Sequence, residues 1–154
     1  DTASRLLGKW ITIDAAPVLL DLATTLPNGK FKVRAIRGYI RIIRQSKLPV
    51  AEKLAMCRKA LSAARRVQEK KLVLDTLPRF QTADSLALAT DSLASPEVRE
   101  TAAAAALAIA VKIIDTQPAA VANAMQTLIA SGIQGDLLNK AKVLSTLAVG
   151  KLKK

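Results

Sequence analysis

The feature that most restricts this chain is the recurrence of apolar residues at helical spacing, broken at short intervals by Pro, Gly and capping residues. Nine such segments run along it: Arg5 to Ile13, Ala15 to Thr25, Lys30 to Gln45, Pro49 to about Arg65, Val67 to about Leu77, Ala83 to Ala94, Pro96 to about Ile114, Pro118 to about Ser131, and Asp136 to about Leu152. Each carries apolar positions three and four apart, the period of a helix with one face turned inward. The breakers fit the same reading. Asp14 and Thr82 stand where N-caps are wanted, and Ser95-Pro96-Glu97 places a cap, a Pro at the first helical position and an acid in the first turn. Leu26-Pro27-Asn28-Gly29 and Gly132 to Gly135 are turns, and Pro78 stops the segment before it. Almost nothing alternates with period two, so no strand is expected. Short connections between helices place neighbours antiparallel, and the expectation is an all-α fold of about four to five helical hairpins.

Composition supports helices over sheets. Hydrophobic residues make up 51% of the chain and aromatics 3%, so the apolar mass is mainly Ala and Leu, both strong helix formers. The longest apolar run, Ala102 to Val111, is bounded by Glu100 and Lys112 and falls short of the roughly 18 residues that a membrane span needs. The chain opens on Asp1 without Met, which reads as a cut or processed end, and no signal peptide is visible.

Site chemistry is sparse. There is no His, which removes the commonest general base and metal ligand, and one Cys, which excludes an internal disulfide. Cys57, inside Leu54-Ala55-Met56-Cys57, reads as a small buried hydrophobe. The twelve carboxylates are dispersed, and no Gly-rich phosphate loop or nucleophile motif appears. The expectation is a non-enzyme without cofactor or metal.

Charge is uneven. Residues 30–71 hold fourteen Lys/Arg against two acids, Glu52 and Glu69, which accounts for the whole net charge of +12. Such a block suits an acidic partner surface. Within it, Lys30, Arg34, Arg37, Arg41 and Arg44 fall within about 80° of one another on a helical wheel, a cationic stripe along an otherwise largely apolar helix. Two structural explanations stand beside anion binding: the stripe is a solvated face, or some of its Arg residues ladder with acids of neighbouring helices such as Asp21 or Asp75. Trp10 and Tyr39 could stack on a base or sugar, with core packing the stronger reading for Trp10. Gly38, mid-helix, suggests close helix packing, and Gly8 a similar role.

Basic residues recur at the start of alternate helices. Arg34, Lys71, Arg99 and Lys140 stand 37, 28 and 41 residues apart, near the period of helical-hairpin repeats. The stretch Leu93-Ala94-Ser95-Pro96-Glu97-Val98-Arg99-Glu100-Thr101-Ala102-Ala103 resembles a HEAT repeat at the turn between its two helices, where the family carries Pro-x-Val-Arg before an Ala-rich helix. Further phrases are similar to HEAT-repeat regions of large planctomycete-type bacterial proteins: Leu7-Gly8-Lys9-Trp10, Ala16-Pro17-Val18-Leu19-Leu20-Asp21-Leu22-Ala23, Val33-Arg34-Ala35-Ile36-Arg37-Gly38-Tyr39-Ile40-Arg41 and Glu69-Lys70-Lys71-Leu72-Val73-Leu74. Those regions often sit beside sugar-binding or 3-keto-disaccharide hydrolase domains. The resemblance implies a right-handed, armadillo-like α-solenoid. It implies that residues 1–154 form one repeat domain of a larger, exported or periplasmic protein, with an architectural role. It names no catalytic residue.

The expected function is a non-catalytic interaction or scaffold module, monomeric, with a protein partner or a neighbouring domain of the same chain on a partly basic concave surface lined by Lys30, Arg34, Arg37, Arg41 and Arg44. An anionic glycan is a further partner class. The alternative is nucleic-acid binding, since fold class and basicity resemble HEAT-like alkylpurine DNA glycosylases; against it stand the scarcity of stacking aromatics and of paired carboxylates.

Overall fold

The structure, a computed structural model, describes Thr2 and residues 12–154. The expected first helix, with Gly8 and Trp10, lies outside the described residues. Eight α-helices follow, and the described residues contain no strand. None of these helices is long and apolar enough to cross a membrane. The chain divides into two compact units, Asp1–Val73 and Leu74–Lys154.

In the first unit, α1 (Ala16–Thr25) packs against α2 (Lys30–Gln45) and α3 (Val50–Ala63), and α2 against α3. Helix α1 buries Ala16, Leu19 and Ala23, a single stripe, behind Pro17 in its first turn. Helix α2 buries most of its circumference: Ala35, Ile36, Gly38, Tyr39, Ile40, Ile42 and Ile43. Helix α3 follows Pro49 and turns Leu54, Cys57, Ala60 and Ala63 inward. Helix α4 (Val67–Leu74) closes the unit.

In the second unit, α5 (Ala83–Asp91) packs on α6 (Arg99–Ile113) and α7 (Pro118–Ala130), and α6 and α7 each pack on the other and on α8 (Gly135–Leu152). Every helix thus meets its next neighbour, and α5 and α6 each also meet the helix two places on. Helix α6 buries Ala102, Ala103, Ala105, Ala106, Leu107, Ile109, Ala110 and Ile113. The turn into α8 uses Gly132 and Gly135 at φ +88° and +66°, a region where a side chain strains the backbone.

Several boundaries differ from expectation for local reasons. Asp14 caps nothing: it sits within a 3-10 turn, Ile13–Ala15, and Ala15 occupies the N-cap of α1. Helix α4 ends at Leu74, three residues early, because Pro78 has no N–H for the Leu74 carbonyl and disfavours helical geometry before it. Leu77–Arg79 instead forms a 3-10 turn. Helix α5 stops at Asp91, where the Ser92 hydroxyl donates back to the Leu88 carbonyl at 3.1 Å and Ser92–Ala94 tighten to a 3-10 turn. Ser95 does not cap an α-helix: Pro96–Val98 is one 3-10 turn, and α6 begins at Arg99. Thr82 is the N-cap expected of it. Its hydroxyl accepts from the Ser85 amide at 3.1 Å while the Ser85 hydroxyl accepts from the Thr82 amide at 3.3 Å. The Pro96-x-Val98-Arg99 motif has a plain local purpose: Val98 is buried, and Arg99 Nε donates to the Leu93 carbonyl at 3.0 Å.

Candidate functional site

Helix α2 carries the cationic stripe over the bounds expected from sequence. From Ala35 onward its apolar residues are buried, and the five stripe residues share one polar edge. At the N-terminal end, Lys30 is exposed with Nζ 5.0 Å from the centroid of the Phe31 ring, and the half-buried Arg34 lies 5.8 Å from the same ring. Arg41 is exposed in the middle. The remaining two reach α4. Arg44 Nη2 donates to the Leu72 carbonyl at 3.0 Å, tying α2 to α4. Arg37 donates through Nε and Nη2, both at 2.9 Å, to Oε1 of Glu69.

Glu69 is the residue that the sequence did not announce. It is 1% exposed, the sole buried charged side chain among the described residues. The carboxylate that Arg37 meets is therefore Glu69 in the first turn of α4, not Asp21 or Asp75. Its second oxygen, Oε2, lies 3.5 Å from Arg66 Nε and accepts no hydrogen bond. Burying a carboxylate oxygen without a donor costs about 1–3 kcal/mol. A sequence signal existed: Glu69 is one of two acids in the basic block and stands three residues after Arg66, the spacing of one helical turn.

A cavity of about 220 Å³ opens beside Glu69, lined by Asn28, Gly29, Lys32, Val33, Ile36 and the α3–α4 turn through Arg66. Lys32 Nζ reaches the Leu26 carbonyl at 3.3 Å on this side of the helix. Arg65 and Arg66 are exposed at the turn.

Tyr39 is no stacking platform. It is 2% exposed, and burial, with Cys57 beside it, pushes its hydroxyl up to about 12. Cys57 is fully buried, as its apolar neighbours suggested. Burial raises its thiol to about 12 against the opposing pull of Arg44 and Arg58, so at neutral pH it is a protonated core residue. Trp10 lies outside the described residues.

The second unit carries a different surface. Between α6 and α8 runs an apolar groove of about 590 Å³, lined among others by Ala104, Leu107, Val111, Val143 and Leu144. Val111, Val143 and Leu147 are exposed hydrophobics.

No protein-family model, curated protein or solved structure matches this chain.

Proposed function

We propose that the chain is a non-catalytic binding module of the HEAT-like, armadillo-type class, a right-handed stack of helical hairpins, whose first unit docks an acidic protein surface or an acidic neighbouring domain of the same polypeptide. The observation that carries this reading is the charge of that unit. It holds sixteen Lys/Arg against five Asp/Glu, and one of those five, Glu69, is buried. Lys47, Arg58, Lys59 and Lys71 are all exposed. Such a surface attracts polyanions at long range and gives steep salt dependence. The packing in the second unit, where α5 meets α6 and α7 and α6 meets α7 and α8, supports stacked hairpins as the scaffold. Such a scaffold offers broad surface without site chemistry.

The nucleic-acid alternative keeps the electrostatics and loses Tyr39 as a stacking platform, because Tyr39 is buried. One experiment separates the two. Binding of an acidic polypeptide, poly-glutamate, and of a random-sequence DNA duplex is measured on the intact chain across a salt series. The proposal expects poly-glutamate to bind at low salt, with affinity lost when Lys47, Arg58 and Lys59 are reversed to Glu together. Absence of poly-glutamate binding at low salt overturns it, and tight duplex binding without it transfers the function to nucleic acid.

A further inference from the structure

We propose that the groove between α1 and α3 binds a small organic amine, an ammonium group carried on an apolar body. The groove holds about 660 Å³, within the roughly 300–1,000 Å³ range of small-ligand clefts. Its lining is mostly apolar: α1 contributes Pro17 and Leu20, and the α3 side contributes Leu48, Ala55 and Met56. Three polar groups without partners stand in this lining. Asp21 comes from α1 and Glu52 from α3, so each helix brings one carboxylate. Both residues are exposed, and neither carboxylate is paired with a described residue. The third group is independent of them. Tyr39 of α2 lines the groove and is 2% exposed. Its hydroxyl has no hydrogen-bond partner among the described residues, and it is not sealed from solvent as Ser46 Oγ and Glu69 Oε2 are. The surface that Tyr39 retains therefore opens into the groove.

These groups select the ligand. Carboxylates accept hydrogen bonds only, and a phenol oxygen accepts as well as donates. A ligand that satisfies all three must donate, which an ammonium does with three protons and a positive charge. A bare inorganic cation leaves the apolar lining unfilled. A carboxylate or phosphate ligand meets two like charges. Lys59 also lines the groove, but it is exposed, and its long stem lets the charged head turn to water. The local charge is thus opposite to that of the surrounding unit, since two of the three exposed acids described there, Asp21 and Glu52, stand at this one groove. At physiological ionic strength a Debye length of about 8 Å screens the remoter cations, so the contacting carboxylates dominate.

This site takes a ligand of opposite sign to the acidic surface proposed above and does not rest on that reading. Its test leaves Lys47, Arg58 and Lys59 in place. The intact chain is titrated calorimetrically near neutral pH with n-octylamine, n-octanol and octanoate, which carry similar apolar tails and differ in charge. The net charge of +12 favours octanoate, so the opposite order reports the groove's own carboxylates. Octylamine is expected to bind about tenfold or more tighter than either of the others. The α6–α8 groove cannot imitate this result, because its charged lining residue, Lys140, favours octanoate. Asp21→Asn together with Glu52→Gln, two changes at exposed residues, should weaken octylamine about fivefold or more. Tyr39→Phe keeps the ring, removes the hydroxyl and should weaken octylamine about threefold. Octanol or octanoate binding as tightly as octylamine overturns the proposal, as does the absence of octylamine binding up to about millimolar ligand. Octylamine binding indifferent to the double acid substitution, or to Tyr39→Phe, overturns it as well. Should Tyr39→Phe fail to fold, the ligand series and the acid substitutions still decide.

Discussion

The unit Asp1–Val73 carries sixteen Lys/Arg against five Asp/Glu, whereas Leu74–Lys154 carries eight against seven. Both are helical, yet they hold themselves together differently. In the first, a helix lined with bulky Ile and Tyr side chains is tied to α4 by guanidinium groups, one to the buried Glu69 and one to the Leu72 carbonyl. In the second, α6 buries five alanines whose small size lets neighbouring helices approach closely, and no charged side chain is buried. A strongly cationic unit must bury apolar surface beneath many like charges, and the Arg37–Glu69 and Arg44–Leu72 contacts turn two of those charges into inter-element ties. A near-neutral unit has no such need. The difference teaches that part of the Arg content of the first unit belongs to its architecture, so total positive charge overstates what is free to meet a partner.

The largest test of this contrast lies in Arg37→Ala. It leaves the buried Glu69 beside Arg66 at 3.5 Å without its closest cation, and should cost about 3–5 kcal/mol in urea denaturation. Glu69→Gln should cost less, about 1–2 kcal/mol, because the Arg37 and Arg66 side chains are 51% and 54% exposed and can turn to water. The second unit supplies the control. Lys140 pairs with Asp136 at 2.8 Å, but the two are 61% and 77% exposed, so Lys140→Ala should cost no more than about 0.5 kcal/mol. Equal losses from Arg37→Ala and Lys140→Ala would remove the distinction between clamp and surface pair.

Alkaline pH probes the same contrast without changing the clamp. Tyr39 and Cys57 are the chain's one Tyr and one Cys, and both lie in the first unit. Both are pushed up to about 12 by burial. An acid whose folded pKa is raised favours the fold fully below its unfolded pKa. That contribution is lost as pH rises toward the folded value. Stability of the first unit should therefore hold to about pH 9 and fall from there to about pH 12, by up to about 1.4 kcal/mol per pH unit for each proton involved. Cys57→Ala should flatten part of that slope in denaturation curves taken at pH 8, 10 and 11. A slope unchanged by the substitution would show that the thiol takes no share in it.

Much of this architecture was legible in advance, and the misses have physical causes. Helix α2 was read to its boundaries because Gly29 and Pro49 flank a long, strongly sided segment. Thr82 was legible as a cap because its competitor, Pro78, had already ended the preceding helix. Ser95 looked equally good, but the burial of Val98 and the tie from Arg99 to Leu93 hold that turn in 3-10 geometry. Helical periodicity cannot distinguish those two cases, since the deciding contacts come from outside the segment. The stripe was legible as a row of cations, whereas Glu69 was not legible as their partner, because the pairing of Arg37 with Glu69 spans 32 residues. Thr82→Ala tests the legible part directly. Loss of the reciprocal Thr82–Ser85 bonds should cost about 1 kcal/mol and shorten α5 protection in amide exchange.

The smallest effect is expected on the outer face of α8. This helix buries just Ala141 and Ala148, while Val143 and Leu147 are 59% and 52% exposed. An exposed apolar side chain contributes little to a core it does not enter, and Gln is a better helix former than Val. Val143→Gln should therefore change the stability of the chain by no more than about 0.5 kcal/mol, with either sign. The measurement sharpens the comparison between units because Val143 lines the apolar α6–α8 groove of the near-neutral unit. A loss above about 1 kcal/mol would mean that Val143 packs as core. The groove would then close in solution, and both units would present polar surfaces. A change near zero, beside a large loss for Arg37→Ala, leaves one unit whose charges hold its fold and another whose apolar face does not.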